Sequence, residues 1–229
     1  MTQERIWITR SLPGAHKSAS NFARLGLACA ISPLLKIMPA PNMPSQPDKD
    51  DVLVFTSQNG LNGFCELTKR REWRVVTVGD ETAAQAKHAG FASIRSAGGT
   101  SEDVTQLVKS SFSTDASIIH CAGNHVRGKI TEDLRAAGYK ARRDLYYQSS
   151  PVSTLPKIDV SKLTYIALYS PLAAQTLAHF KPNLSGVTLL SISAATDAAI
   201  GNLPCQARLI ASAPNETAML ALLGPSVAV

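Results

Sequence analysis

The chain has 229 residues, 45% of them hydrophobic and 17% charged, which allows one large domain or two compact ones and excludes a disordered polypeptide. No window approaches the roughly 20 apolar residues of a membrane-spanning helix, and the first residues run into a strand rather than an apolar signal region, so a cytoplasmic protein is expected. The net charge of +6 and the pI near 9.3 predict a surface that attracts anions; no Lys/Arg-rich arm, zinc finger or aromatic RNA-binding segment directs that charge to nucleic acid.

In chain order, Ile6 to Thr9 predicts a strand, and Ala15, Ala19, Phe22 and Gly26 recur at helical spacing after it. Ala28 to Ile31 predicts a second strand. Five prolines between Ser32 and Pro47 suit an extended connection and break helix, so a crossing between domains is placed there. Strands are then predicted at Val52 to Thr56, Arg74 to Val78, Ser117 to Cys121 and Ala141 to Tyr146. Helices are predicted at Asn59 to Lys69, Glu81 to Ala89, Ser101 to Phe112, where Thr100 and Asp103 have capping-box spacing, and Arg127 to Ala137, with Gly138 as its stop. Gln148 to Pro156 is polar and proline-bearing and predicts a second crossing. The alternation resumes with strands at Tyr165 to Tyr169, Val187 to Ser191 and Ala207 to Ile210, each followed by a helix. Such alternation predicts an α/β fold of parallel sheets covered on both faces. The N-terminal strand and helix are too little to fold alone. Two lobes are therefore expected, residues 1–35 with 152–229 and residues 36–151.

The four cysteines are widely separated and predict reduced thiols rather than a disulfide framework. His120-Cys121 with His125 is the one local group of metal-ligating types. It has no further partner at a familiar zinc spacing, so no metal site is expected. No G-x-G-x-x-G, G-x-x-x-x-G-K-[ST] or G-x-S-x-G pattern occurs, which argues against dinucleotide, phosphoryl-transfer and serine-hydrolase chemistry.

One pattern is duplicated. Ser57 follows the strand ending at Thr56 and Thr82 lies 25 residues on; Ser170 follows the strand ending at Tyr169 and Thr196 lies 26 residues on. A small hydroxyl residue where a strand turns into a helix either caps the helix or, with the free N–H groups and the positive end of the helix dipole, helps to hold an anion. Four such positions on a basic protein favour a cleft that grips several anionic groups.

At these residues the chain resembles uroporphyrinogen-III synthases. The resemblance rests on Trp7-Ile8-Thr9-Arg10, Val54-Phe55-Thr56-Ser57-Gln58-Asn59, Val78-Gly79-Asp80-Glu81-Thr82-Ala83, Cys121-Ala122-Gly123-Asn124 with Arg127-Gly128, Tyr146-Tyr147-Gln148-Ser149 and Tyr169-Ser170-Pro171. Their ordered succession spans essentially the whole chain. It implies two doubly wound parallel-sheet lobes joined by a two-stranded linker, with the active site in the cleft between them. It also implies a cofactor-free hydro-lyase that dehydrates and closes hydroxymethylbilane into uroporphyrinogen III, inverting ring D through a spiro intermediate. The resemblance points to Tyr147 as the acid at the departing hydroxyl. It points to Arg10, Ser57, Gln58, Asn59, Thr82, Gly123, Asn124, Arg127, Ser170, Pro171 and Thr196 as substrate-binding residues. The expected partner is this small molecule alone, without nucleic acid or membrane, and the expected state is a monomer. Ser11-Leu12-Pro13, Asn215 and Asp197 depart from the family pattern. The competing reading is a two-lobed cytoplasmic binding protein for a small polyanion, with the same cleft and no chemistry.

Overall fold

The computed structural model describes residues 4–126 and 128–224. The strands are β1 (Arg5–Ile8), β2 (Ala28–Ile31), β3 (Leu35–Pro39), β4 (Val52–Phe55), β5 (Arg74–Thr77), β6 (Ser93–Ser96), β7 (Ser117–Gly123), β8 (Lys140–Pro151), β9 (Tyr165–Leu168), β10 (Leu184–Ser191) and β11 (Cys205–Ile210). The helices are α1 (Gly14–Ala23), α2 (Gln58–Leu67), α3 (Asp80–His88), α4 (Ser101–Ser111), α5 (Ile130–Ala136), α6 (Pro171–Phe180), α7 (Ala194–Ala198) and α8 (Glu216–Ala221). Two compact units result, one from the described residues up to 36 and from 150 onward, the other from residues 37–149.

In the second unit the strand order is β8-β7-β4-β5-β6, with β3 beside β8 at one edge, and these first five strands pair in parallel. All four residues of β4 are fully buried. This is what a strand covered on both faces requires, and each such side chain contributes about 1.5–3 kcal/mol on burial. Alternation divides the core into two layers. Leu53, Phe55 and Ile119 face Phe64 of α2 and Ala86 of α3, whereas Val52, Val54 and Ile118 face Val104 of α4 and Leu134 of α5. The expected capping box at Thr100 and Asp103 is present, and Gly138 follows α5 at φ +90°.

The first unit has strand order β11-β10-β9-β1-β2, again all parallel. Here Trp7, Ile166 and Leu168 pack with Ala174 and Leu177 of α6, while Ile6, Ile8 and Ala167 pack with Phe22 of α1 and Met219 of α8. Each strand and helix of this unit has a counterpart in the other: β9, β10, β11, β1 and β2 correspond to β4, β5, β6, β7 and β8. Two differences remain: β3 has no counterpart in the first unit, and the first unit is interrupted between α8 and β1 where the second runs on from α4 into β7.

Several boundaries differ from expectation. The strand β6 was not anticipated, because Ser93–Ser96 is a half-exposed edge strand with no apolar run. The first crossing contains β3, and β8 extends to Pro151, so the polar residues after Tyr147 begin as strand rather than loop. Helix α5 runs Ile130–Ala136, with Gly128 and Lys129 before it outside the helix; Arg127, the expected start, lies outside the described residues.

Candidate active site

In an open parallel sheet, ligands collect beyond the carboxyl ends of the two strands where the winding reverses. Those strands are β4 and β7 in one unit and β9 and β1 in the other.

Beyond β4, Ser57 has extended dihedrals and N-caps α2, its Oγ accepting the Gly60 N–H at 3.1 Å. Gly60 is needed for close approach, since a Cβ there would lie 2.5 Å from the Cys121 carbonyl oxygen. The helix therefore sits hard against β7. On the far side of β7, the register pairs Ala122 with Leu145 and Gly123 with Tyr147, so β8 bulges at Tyr146. Tyr146 is fully buried and packs its ring 5.4 Å from that of Phe64. Tyr147 instead lies over Gly123, where a Cβ would come within 2.4 Å of its ring. Its phenol reaches Ser57 Oγ at 3.2 Å. Burial raises the Tyr147 pKa, and the hydrogen bond with Ser57 opposes that rise. The phenol is neutral near pH 7 and holds its proton.

Asn124 ties the end of β7 to β8, donating from Nδ2 to the Ser149 carbonyl at 3.2 Å and accepting the Ser149 N–H at 2.8 Å. Gln58 and Asn59 are the first two residues of α2 and are half-buried. Thr82 does not cap its helix. Gly79 is the N-cap of α3, and Thr82 is the third helical residue, nearly buried behind Asp80 and Glu81. Those two carboxylates work against anion binding at this turn. Arg127 lies outside the described residues.

His120 was weighed in the sequence only as a metal ligand, and among the described residues no three potential metal-ligating side chains come together. It is buried on β7, with Nε2 3.0 Å from Thr56 Oγ1. Burial first, and then the Arg143 charge, lower its pKa to about 4, against the opposing pull of Glu132. The neutral ring thus anchors the residue just before Ser57. A histidine within the apolar run Ile118-Ile119-His120-Cys121 was the available sequence signal.

In the first unit, Ser170 N-caps α6, accepting the Ala173 N–H at 3.2 Å, and Pro171 fills the first helical position. Like Thr82, Thr196 does not cap its helix. The cap of α7 is Ser193, and Thr196 is fully buried one turn in, its hydroxyl 3.0 Å from Ser193 Oγ. The spacing Ser-x-x-Thr could have identified the cap. Arg10 stands at the carboxyl end of β1, but its charge is already met: Nη1 pairs with Glu216 at 3.3 Å and with Ser18 at 3.2 Å, and the guanidinium lies over the Tyr169 ring. Glu216, Ser18 and Tyr169 were not among the expected site residues. Burial holds the Tyr169 pKa above its usual value, with Glu216 adding to the rise.

No helix among the described residues is long and apolar enough to cross a membrane. The sequence matches the family model described as uroporphyrinogen-III synthase HemD over residues 17–221. No curated protein sequence matches it. Among solved structures it is similar to the uroporphyrinogen-III synthetase of Helicobacter pylori, at 17% identity and a TM-score of 0.66, covering 96% of this chain and 98% of that one. It is also similar to a mutant uroporphyrinogen III synthase of Thermus thermophilus, at 14% identity and a TM-score of 0.53, covering 95% and 96%. At such identities the structures establish a shared fold, and the family model, which matches most of the sequence, establishes the kinship: the chain belongs to the uroporphyrinogen-III synthase family.

Proposed function

We propose that Tyr147 is the hydrogen-bond donor that helps the terminal hydroxyl of hydroxymethylbilane leave as water, in the ring closure to uroporphyrinogen III that gives this lyase family its name. The observation that carries the reading is the phenol itself. It is neutral, seated on Gly123 at the winding reversal of its sheet, and 3.2 Å from Ser57. A neutral donor suits a substrate rich in carboxylates, which would be repelled by an ionised acid.

Loss of water leaves an azafulvenium cation. The substituted carbon of ring D attacks it to give the spiro intermediate, ring D is released and rejoined in the inverted sense, and a ring proton departs as the macrocycle closes. Holding the two ends of the bilane in register removes much of such a barrier. The positive ends of α2 and α6, just beyond Ser57 and Ser170, support a role in holding substrate carboxylates. Gln58, Asn59 and Pro171 belong to those first turns. Arg10 contributes as part of the scaffold around Ser170 rather than as a free cation, because Glu216 already balances it. The partner is a small molecule, with no role for nucleic acid.

The decisive experiment incubates the protein with hydroxymethylbilane, with a chelator and without added cofactor, and resolves the porphyrin isomers. Type III product is expected. Type I product alone, the outcome of uncatalysed closure, would leave only the binding-protein reading; loss of activity with chelator and recovery with zinc would overturn the cofactor-free mechanism.

A further inference from the structure

We infer that Ser57 is a positioning residue for Tyr147 and not a ligand of the substrate: its hydroxyl donates to Tyr147 Oη and so turns the phenol proton outward, toward the reacting hydroxyl. This rests on the reading of Tyr147 given above.

The inference follows from counting protons and lone pairs. A serine hydroxyl has one proton to donate and two sites to accept. One acceptor site of Ser57 is taken by the Gly60 N–H at 3.1 Å, as the N-cap of α2. The other hydrogen-bond partner found for Ser57 is Tyr147 Oη at 3.2 Å. If Ser57 donates there, its own proton is used and the phenol proton is left for a ligand. If Tyr147 donated instead, the phenol would have no proton to offer, and Ser57 would be the group with a free one. The two assignments exclude each other. Only the first agrees with Tyr147 as the donor in the reaction, and a hydrogen bond received by the phenol oxygen also makes the phenol a better donor.

The arrangement is held from both sides. Thr56, the preceding residue, is pinned to His120 Nε2 at 3.0 Å. Tyr147 cannot swing away from the Gly123 backbone without leaving the close seat that the missing Cβ provides. Helix α2 is fixed against the Cys121 carbonyl by Gly60. The Ser57 hydroxyl is therefore placed by backbone on one side and by a packed ring on the other.

The test is steady-state turnover of hydroxymethylbilane by the full chain carrying Ser57→Gly, Ser57→Asp, Ser57→Thr, Tyr147→Phe and the double variant Ser57→Gly/Tyr147→Phe. Glycine is nearly as good an N-cap as serine, and aspartate and threonine also cap, so helix α2 should persist in all of them. A thermal melt of each checks this. Ser57→Gly, which lacks the proton, should lower kcat by about 10-fold, the effect of one hydrogen bond, with KM within about twofold of the parent at that scale; Ser57→Asp should lower kcat as well, and its carboxylate should also raise KM for the anionic substrate. Ser57→Thr should restore kcat. In the Tyr147→Phe background Ser57→Gly should cause no further loss, because a residue that acts through another has nothing left to act on. A raised KM with kcat retained, or a second full loss on top of Tyr147→Phe, would overturn the inference and make Ser57 a substrate contact. If Tyr147→Phe alone turned over like the parent, the Tyr147 reading itself would fail and take this inference with it.

Discussion

The two units share one strand order and one pair of helix-capping serines, yet the crevices beyond their central strands are furnished in opposite ways. Beyond β4 and β7, a neutral phenol and a serine hydroxyl form an uncharged pair with a proton to give. Beyond β9 and β1, an arginine is closed onto a glutamate, a serine and a tyrosine face, with its charge satisfied inside the unit. The strand position that pairs with Val54 is His120, and its counterpart paired with Ala167 is Ile8. One crevice is therefore backed by a titratable ring, the other by an apolar side chain. Duplication of a scaffold carries over the helix N-termini, which are backbone features, but not the side-chain chemistry placed among them.

The largest expected difference between the units is in turnover. Tyr147→Phe removes one hydroxyl and should lower kcat by about 100-fold to 10,000-fold, the range for a lost general acid, while KM changes little. Arg10→Met should leave kcat within about threefold, small beside that range. The contrast breaks if the Tyr147 variant keeps more than half of the parent kcat, or if the Arg10 variant matches its loss.

Next comes the acid sensitivity of the second unit. His120 has an ordinary pKa near 6.5 that the fold lowers to about 4. The unfolded chain therefore binds the extra proton between these values, so the stabilisation is complete above about pH 6.5 and is lost as the pH falls toward 4. The span corresponds to about 3 kcal/mol. Denaturant melts between pH 7 and pH 4 should show this acid limb, and His120→Gln should flatten it. An unchanged limb would mean that other groups govern acid unfolding.

Arg10→Met should cost about 1–2 kcal/mol of stability, because the largely buried Glu216 loses this cation and half-exposed pairs are discounted for screening. The loss should shrink in the Arg10→Met/Glu216→Gln double variant. Equal losses in the single and double variants would show that the pair is not coupled. The smallest effect is expected for Tyr146→Phe. The Tyr146 hydroxyl is buried with no well-formed hydrogen bond, its polar neighbour being the Cys121 thiol, and removing it should leave both melting temperature and kcat near the parent. A loss comparable to that of Tyr147→Phe would reverse the roles assigned to the two tyrosines.

Much of this was legible in the chain. Apolar runs of four residues at Val52–Phe55 and Tyr165–Leu168, alternating with 3.6-residue patterns, announce doubly wound units, because a strand covered on both faces must be apolar on both. Ser57 and Ser170 could be read as caps for the same local reason: a short polar side chain before a helix satisfies a free N–H three residues on. The order of the weak motifs along the chain carried the family.

What only the tertiary structure decided are the partnerships between residues distant in sequence. The bulge in β8 sends Tyr146 into the core and Tyr147 to Ser57, 90 residues away, a choice that adjacent identical residues cannot announce. Arg10 meets Glu216 across 206 residues, so its role as a balanced cation depends on how α8 packs beside β1. Thr196 is buried behind Ser193 because α7 begins at Ala194, where the sequence predicted a helix, so the threonine falls one turn inside it. Local periodicity and capping are dictated by the backbone and can be read from sequence; proton direction, charge balance and burial are set by what the fold brings alongside.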